Sequence, residues 1–130
     1  MADLVERYTA EVTLGGETRR VDWSRTTTSL TKMYDQIIEV DTTFRAILTI
    51  STTEVGGTIP GPNVFLIENL EASAEITLNV VGPTAGLTLP AGSIYRYEGV
   101  NTGDDTDLTG VQAKVASGTG KLRVVAFDDS

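Results

Sequence analysis

The feature that most constrains this chain is the period-two alternation of its apolar residues, which runs along nearly the whole length. An extended backbone turns successive side chains to opposite faces, so alternation of this kind describes strands buried on one side. From Glu6 to Leu14, the residues Tyr8, Ala10, Val12 and Leu14 fall on one face and Arg7, Thr9, Glu11 and Thr13 on the other. Gly15-Gly16 then supplies the positive φ angles of a tight hairpin turn. The return run, Glu17 to Ser24, sets Val21 and Trp23 opposite Arg20 and Asp22. Thr26 to Thr31 is rich in hydroxyls and reads as a loop or an irregular edge.

The pattern continues beyond the hairpin. Met33 to Val40 opens with helix-compatible residues, but β-branched Ile37, Ile38 and Val40 favour a strand. Next, Phe44, Ala46, Leu48 and Ile50 share one face, with Thr43, Arg45, Ile47, Thr49 and Ser51 on the other. Gly56-Gly57, Pro60, Gly61 and Pro62 form a loop that no regular element crosses. Strands resume at Val64 to Leu70 and through Ala74, Ile76, Leu78 and Val80, ending at Gly82-Pro83. Leu87 to Leu89 is short, and Ser93 to Glu98 alternates Tyr95 and Tyr97 against Arg96 and Glu98. Val111 to Ala116 and Lys121 to Phe127 close the chain, joined by Ser117 to Gly120. No amphipathic helix of a dozen residues occurs. Eight or nine short antiparallel strands, with turn signals at intervals of about 8 to 12 residues, predict an all-β fold, a sandwich or barrel, with a β-sandwich of jelly-roll type the favoured form. The 130 residues fit a single domain, 1–130, and no linker divides them.

The chain has no histidine and no cysteine. Their absence removes the commonest general base, thiolate nucleophiles, disulfides and the usual transition-metal ligands together. Neither a phosphate-cradling P-loop nor a GxGxxG turn is present. Carboxylates are abundant, 18 in all, but no feature selects a catalytic pair, so no enzyme is expected. Asp104-Asp105-Thr106-Asp107, near Asn101, offers hard oxygen donors for calcium but lacks EF-hand spacing. It is read as a solvated turn, and no metal or cofactor is expected.

A formal charge of −8 repels phosphate, and Arg19, Arg20 and Arg25 are diluted by Glu17 and Asp22. They are read as a solvated strand face, so no nucleic-acid partner is expected. No apolar run is long enough to span a bilayer, and the acids near the N-terminus do not fit a secretory signal. Trp23, Tyr34, Tyr95 and Tyr97 are compatible with a sugar-stacking platform, although each also sits in phase with a strand, as a packing residue does. Trp23, Tyr95 and Tyr97 are the candidates for contact with a partner.

The second half, about Asn63 to Phe127, carries a resemblance. An apolar strand ends in Ile67-Glu-Asn-Leu70 and is followed by Ala74-Glu-Ile-Thr-Leu78, then by Leu87-Thr-Leu-Pro-Ala-Gly92. Gly118-Thr-Gly precedes the closing strand to Phe127. This order resembles small β-sandwich structural proteins of tailed bacteriophages. The resemblance implies a virion component of capsid decoration (cement) type, an oligomer and often a trimer, in contact with other virion proteins of the shell. A fibre base, a head-to-tail connector or a tail subunit fits the same features, and a carbohydrate-binding module is the alternative from another class.

Overall fold

In the computed structural model, residues 2–30, 32–49, 64–81, 84–98 and 110–128 are described. They form ten strands: β1 (Ala2–Leu14), β2 (Glu17–Leu30), β3 (Lys32–Val40), β4 (Arg45–Thr49), β5 (Val64–Asn69), β6 (Ile76–Val81), β7 (Thr84–Leu89), β8 (Ile94–Glu98), β9 (Gly110–Val115) and β10 (Gly120–Asp128). All the pairings are antiparallel, and no helix occurs among the described residues. The expected breaker loop at 56–62, the Gly82-Pro83 stop and the acidic turn at 101–107 lie outside the described residues.

Two four-stranded sheets, ordered β3-β10-β5-β8 and β4-β9-β6-β7, make the body, and β1 pairs with β2 alone. The core is where the alternation of both sheets converges. Phe65 and Ile67 from β5 and Leu122, Val124 and Ala126 from β10 meet Ile76, Leu78 and Val80 from β6 and Val111, Ala113 and Val115 from β9. Tyr95 and Tyr97 pack against the rim of this cluster.

One polar side chain is built into it. Asn69, fully buried, donates to the carbonyls of Ala74 (2.8 Å) and Leu89 (3.0 Å), and its side-chain oxygen accepts from the Glu71 amide (2.9 Å). It thereby ties the β5–β6 turn to the end of β7 and satisfies backbone groups that would otherwise be stranded.

Three expectations need correction. Of the two readings of the Thr26 to Thr31 stretch, the loop is wrong over its described part, 26–30, and the irregular edge holds: β2 runs on to Leu30, because β1 begins at Ala2 and gives Thr26 and Thr27 partners in Val5 and Leu4, with a register shift between Ala2 and Leu4. In β4 the register shifts between Ala46 and Leu48, so Ile47 and Leu48 are both buried while Ala46 is exposed. Such a bulge moves one residue across the sheet and breaks strict alternation. The Leu87 to Leu89 stretch is a full strand from Thr84, paired with β6, and the described residues hold ten strands rather than eight or nine.

Candidate assembly surface

The hairpin of β1 and β2 is an arm rather than a layer of the body. Gly15 and Gly16, at φ 58° and 81°, form the two-residue turn with Leu14 opposite Glu17, the geometry that follows the natural twist of paired strands. Register puts Tyr8 across from Trp23, Ala10 from Val21, Val12 from Arg19 and Leu14 from Glu17, all on one face. The other face pairs Thr9 with Asp22, Glu11 with Arg20 and Thr13 with Thr18. These rows are polar, with Thr9 donating to Asp22 at 2.9 Å and the two threonine hydroxyls 2.8 Å apart, while exposed Val5 lies on the same face at the base. The apolar face of the distal arm lies open: Val12 is 52% exposed, Val21 48%, Trp23 55% and Leu14 75%.

At its base the arm is seated on the body. Glu6 is buried, and both its carboxylate oxygens accept from Arg96 of β8, at 2.6 and 2.8 Å. The Tyr8 hydroxyl donates to Glu6 as well. Arg96 also reaches Glu98 (3.0 Å), which in turn pairs with Arg25 of β2 (2.6 Å). The bidentate guanidinium holds the Glu6 carboxyl below its ordinary value, against the opposing effect of burial. Burial, with the Glu6 carboxylate close by, raises the Tyr8 phenol. A carboxyl held down in this way is an anchor, not a group poised to release a proton near neutrality.

Between the arm base and the outer face of the β3-β10-β5-β8 sheet lies a cleft of about 310 Å³, with Leu4 and Tyr8 on one wall and Leu66, Ile94, Val125 and Phe127 among the residues on the other. The arm stands over the β5–β8 side of that sheet, where its ion pairs end. On the β3 side, Met33 (67% exposed) and Ile37 (64%) are left open.

The three residues expected at a partner contact are not brought together. Trp23 lies on the arm's open face. Tyr95 and Tyr97 turn inward: the Tyr97 ring stacks on Phe65 (centroids 5.4 Å apart), and Tyr95 is tilted against it at 6.2 Å. Tyr34 likewise packs against the core. Each basic residue of the arm's former candidate stripe has an acid beside it: Arg19 with Glu17, Arg20 with Asp22, Arg25 with Glu98. Among the described residues no group of three or more acids is arranged to hold a metal.

Sequence reasoning passed over Glu6, Arg96, Met33 and Ile37. Glu6 and Arg96 are 90 residues apart, and no spacing links them. Ile37 did leave a signal: it sits out of phase with Ile38, so one of the two had to face away from the core. Against known protein families, curated proteins and solved structures, the chain has no match.

Proposed function

We propose that this chain is a structural subunit of a phage virion, of capsid decoration (cement) type, which joins neighbouring subunits of the shell through its arm and sheet faces and acts as an oligomer, a trimer in the form the resemblance implies. The observation that carries the reading is the arm: a two-stranded ribbon with one polar face and one open apolar face. An isolated ribbon is marginal in water, and strict one-sided alternation is the pattern of a strand that has a cover. The body favours the same class. Counting β3 as the first body strand and β10 as the eighth, the two sheets read 1-8-3-6 and 2-7-4-5. That order supports the jelly-roll sandwich, an architecture that recurs in viral shells and in lectins. The phage assignment itself draws on the Ile67 to Leu70, Leu87 to Gly92 and Gly118 to Phe127 motifs.

The carbohydrate-binding alternative draws on the same aromatic residues and has less support, because the Tyr95 and Tyr97 rings are spent on Phe65 and the rim of the core. Two measurements test the proposal. Sedimentation velocity across micromolar concentrations is expected to show an oligomer. Mass spectrometry of purified particles of the phage encoding the chain is expected to find it in the virion; a strictly monomeric protein absent from particles would overturn the reading.

A further inference from the structure

We infer that the cleft at the base of the arm is a strand-addition slot for an extended segment of another protein. The segment pairs with the free edge of β1 from Val5 to Thr9 and lays alternate side chains on the sheet below. The inference goes beyond the assembly reading and does not rest on the phage resemblance.

The cleft meets β1 at its edge. Its lining includes Glu6, Arg7 and Tyr8, three consecutive residues. Consecutive side chains of a strand point to opposite faces, so a surface that touches all three touches the strand edge-on. That edge has no partner. Among the described residues β1 pairs with β2 alone, and no other backbone bond reaches it.

The hairpin register fixes which backbone groups are free. Leu14 and Glu17 are the first and fourth residues of the turn, the pair that exchanges backbone bonds. Bonded and non-bonded pairs alternate along an antiparallel ladder. Register is unbroken from Leu4 to Leu14, so the even-numbered residues of β1 bond to β2. Val5, Arg7 and Thr9 then aim their N–H and C=O groups outward. Another extended backbone matches such a row bond for bond. Neither a proline nor a bulge blunts this stretch of edge.

The floor selects the side chains. An added strand turns every second residue toward the sheet, on the face where Glu6 already meets Arg96. There it finds Leu66, Ile94 and Val125 in a void of about 310 Å³. One charge on this floor is left over. Arg123 lies beside Glu68 in register yet gives its guanidinium to Asp35, at 2.9 and 2.7 Å. Glu68 thus has no hydrogen-bond donor among the described residues. The segment that fits is apolar at its inward positions, with one lysine or arginine among them for Glu68. A third strand also brings the two-stranded arm to the size at which a sheet becomes stable.

The probe is a synthetic heptapeptide with blocked ends, Thr-Val-Thr-Val-Thr-Lys-Thr, added to the whole chain and followed by amide hydrogen exchange. In the free protein the Val5, Arg7 and Thr9 amides are expected to exchange fast, and those of Glu6, Tyr8 and Ala10 slowly. The peptide slows the first set at least tenfold. N-methylating one alternate set of peptide amides abolishes binding and the other set does not, because an added strand uses one edge. Arg7→Pro removes an outward N–H without touching the ladder to β2, so it abolishes binding with the hairpin intact by circular dichroism. Glu68→Lys weakens binding about tenfold, and a peptide with glutamate in place of its lysine regains it. No saturable binding at millimolar peptide, binding that survives methylation of either set, or binding without protection from Val5 to Thr9 overturns the slot. So does protection of these amides that rises with protein concentration alone, which assigns the edge to a second copy. Each of these results leaves the oligomer and virion tests of the assembly reading standing.

Discussion

Replacing Arg96 with methionine is the most informative single perturbation, because it removes the arm's anchor while leaving a similar apolar stem. Glu6 would then keep its charge in a buried seat with only the Tyr8 hydroxyl as a close partner. Removing one member of a buried ion pair costs about 3–5 kcal/mol, most of it the penalty on the charge left behind. For a domain of this size that corresponds to a thermal midpoint roughly 11–18 °C lower. Glu98 suffers less, since Arg25 still holds it at 2.6 Å. The arm has an escape that a core residue lacks: it can lift and return Glu6 to water. The cost is therefore capped at the free energy that seats the arm. Two probes separate the cases. Trp23 is the sole tryptophan and reports the arm, whereas circular dichroism is dominated by the body.

The pH dependence carries a definite sign. Arg96 holds the Glu6 pKa below its ordinary 4.5, so the wild-type pair contributes fully above that value and its contribution is lost as pH falls through the lowered one. In the variant Arg96 no longer opposes burial, so the Glu6 pKa rises relative to wild type and Glu6 takes up its proton sooner. The stability gap between wild type and Arg96→Met is thus widest near neutrality and narrows as pH falls below 4.5. The double variant Glu6→Leu with Arg96→Met recovers most of the loss, because an apolar pair leaves no charge to desolvate. Urea unfolding at several pH values measures all three. An Arg96→Met protein within about 0.5 kcal/mol of wild type at neutral pH, by both probes, would refute the anchor.

Asn69→Leu strands the carbonyls of Ala74 and Leu89 and the Glu71 amide, and is expected to cost about 3 kcal/mol or more by urea unfolding. Phe65→Ala empties the centre of the core and removes the ring on which Tyr97 stacks; a loss of about 3–5 kcal/mol is expected, with a change in the near-ultraviolet tyrosine signal. Gly110→Ala would set a methyl 2.8 Å from the Leu48 carbonyl oxygen, a backbone atom that cannot swing aside. It should therefore lower the thermal midpoint by several degrees and loosen the β4–β9 pairing in hydrogen exchange.

Much of the body was legible because its alternation is satisfied within the chain. Ile76, Leu78 and Val80 read as one face in the sequence and are one face in the core. The reading failed where pairing, not pattern, decides. A hydroxyl-rich stretch becomes strand when Leu4 and Val5 lie opposite it, and a bulge at Ala46 puts two consecutive residues inward. The anchor was illegible for a related reason: an ion pair between residues 90 apart leaves no periodic trace.

The arm is a different case, since its pattern was read and its meaning was not. Tyr8, Ala10, Val12 and Leu14 alternate as cleanly as any core strand, and in a lone chain they face water. Alternation records which side of a strand is buried in the working state of the protein, whoever supplies the cover. Within the body that cover is the shared core cluster; on the distal arm no described residue of this chain provides it. A core strand and an assembly strand therefore carry the same sequence signature. What distinguishes them is the mismatch between an apolar face and its exposure, which becomes visible once the fold is known. On that ground the exposed faces of Val12, Val21 and Trp23 are where the proposed assembly role is to be tested.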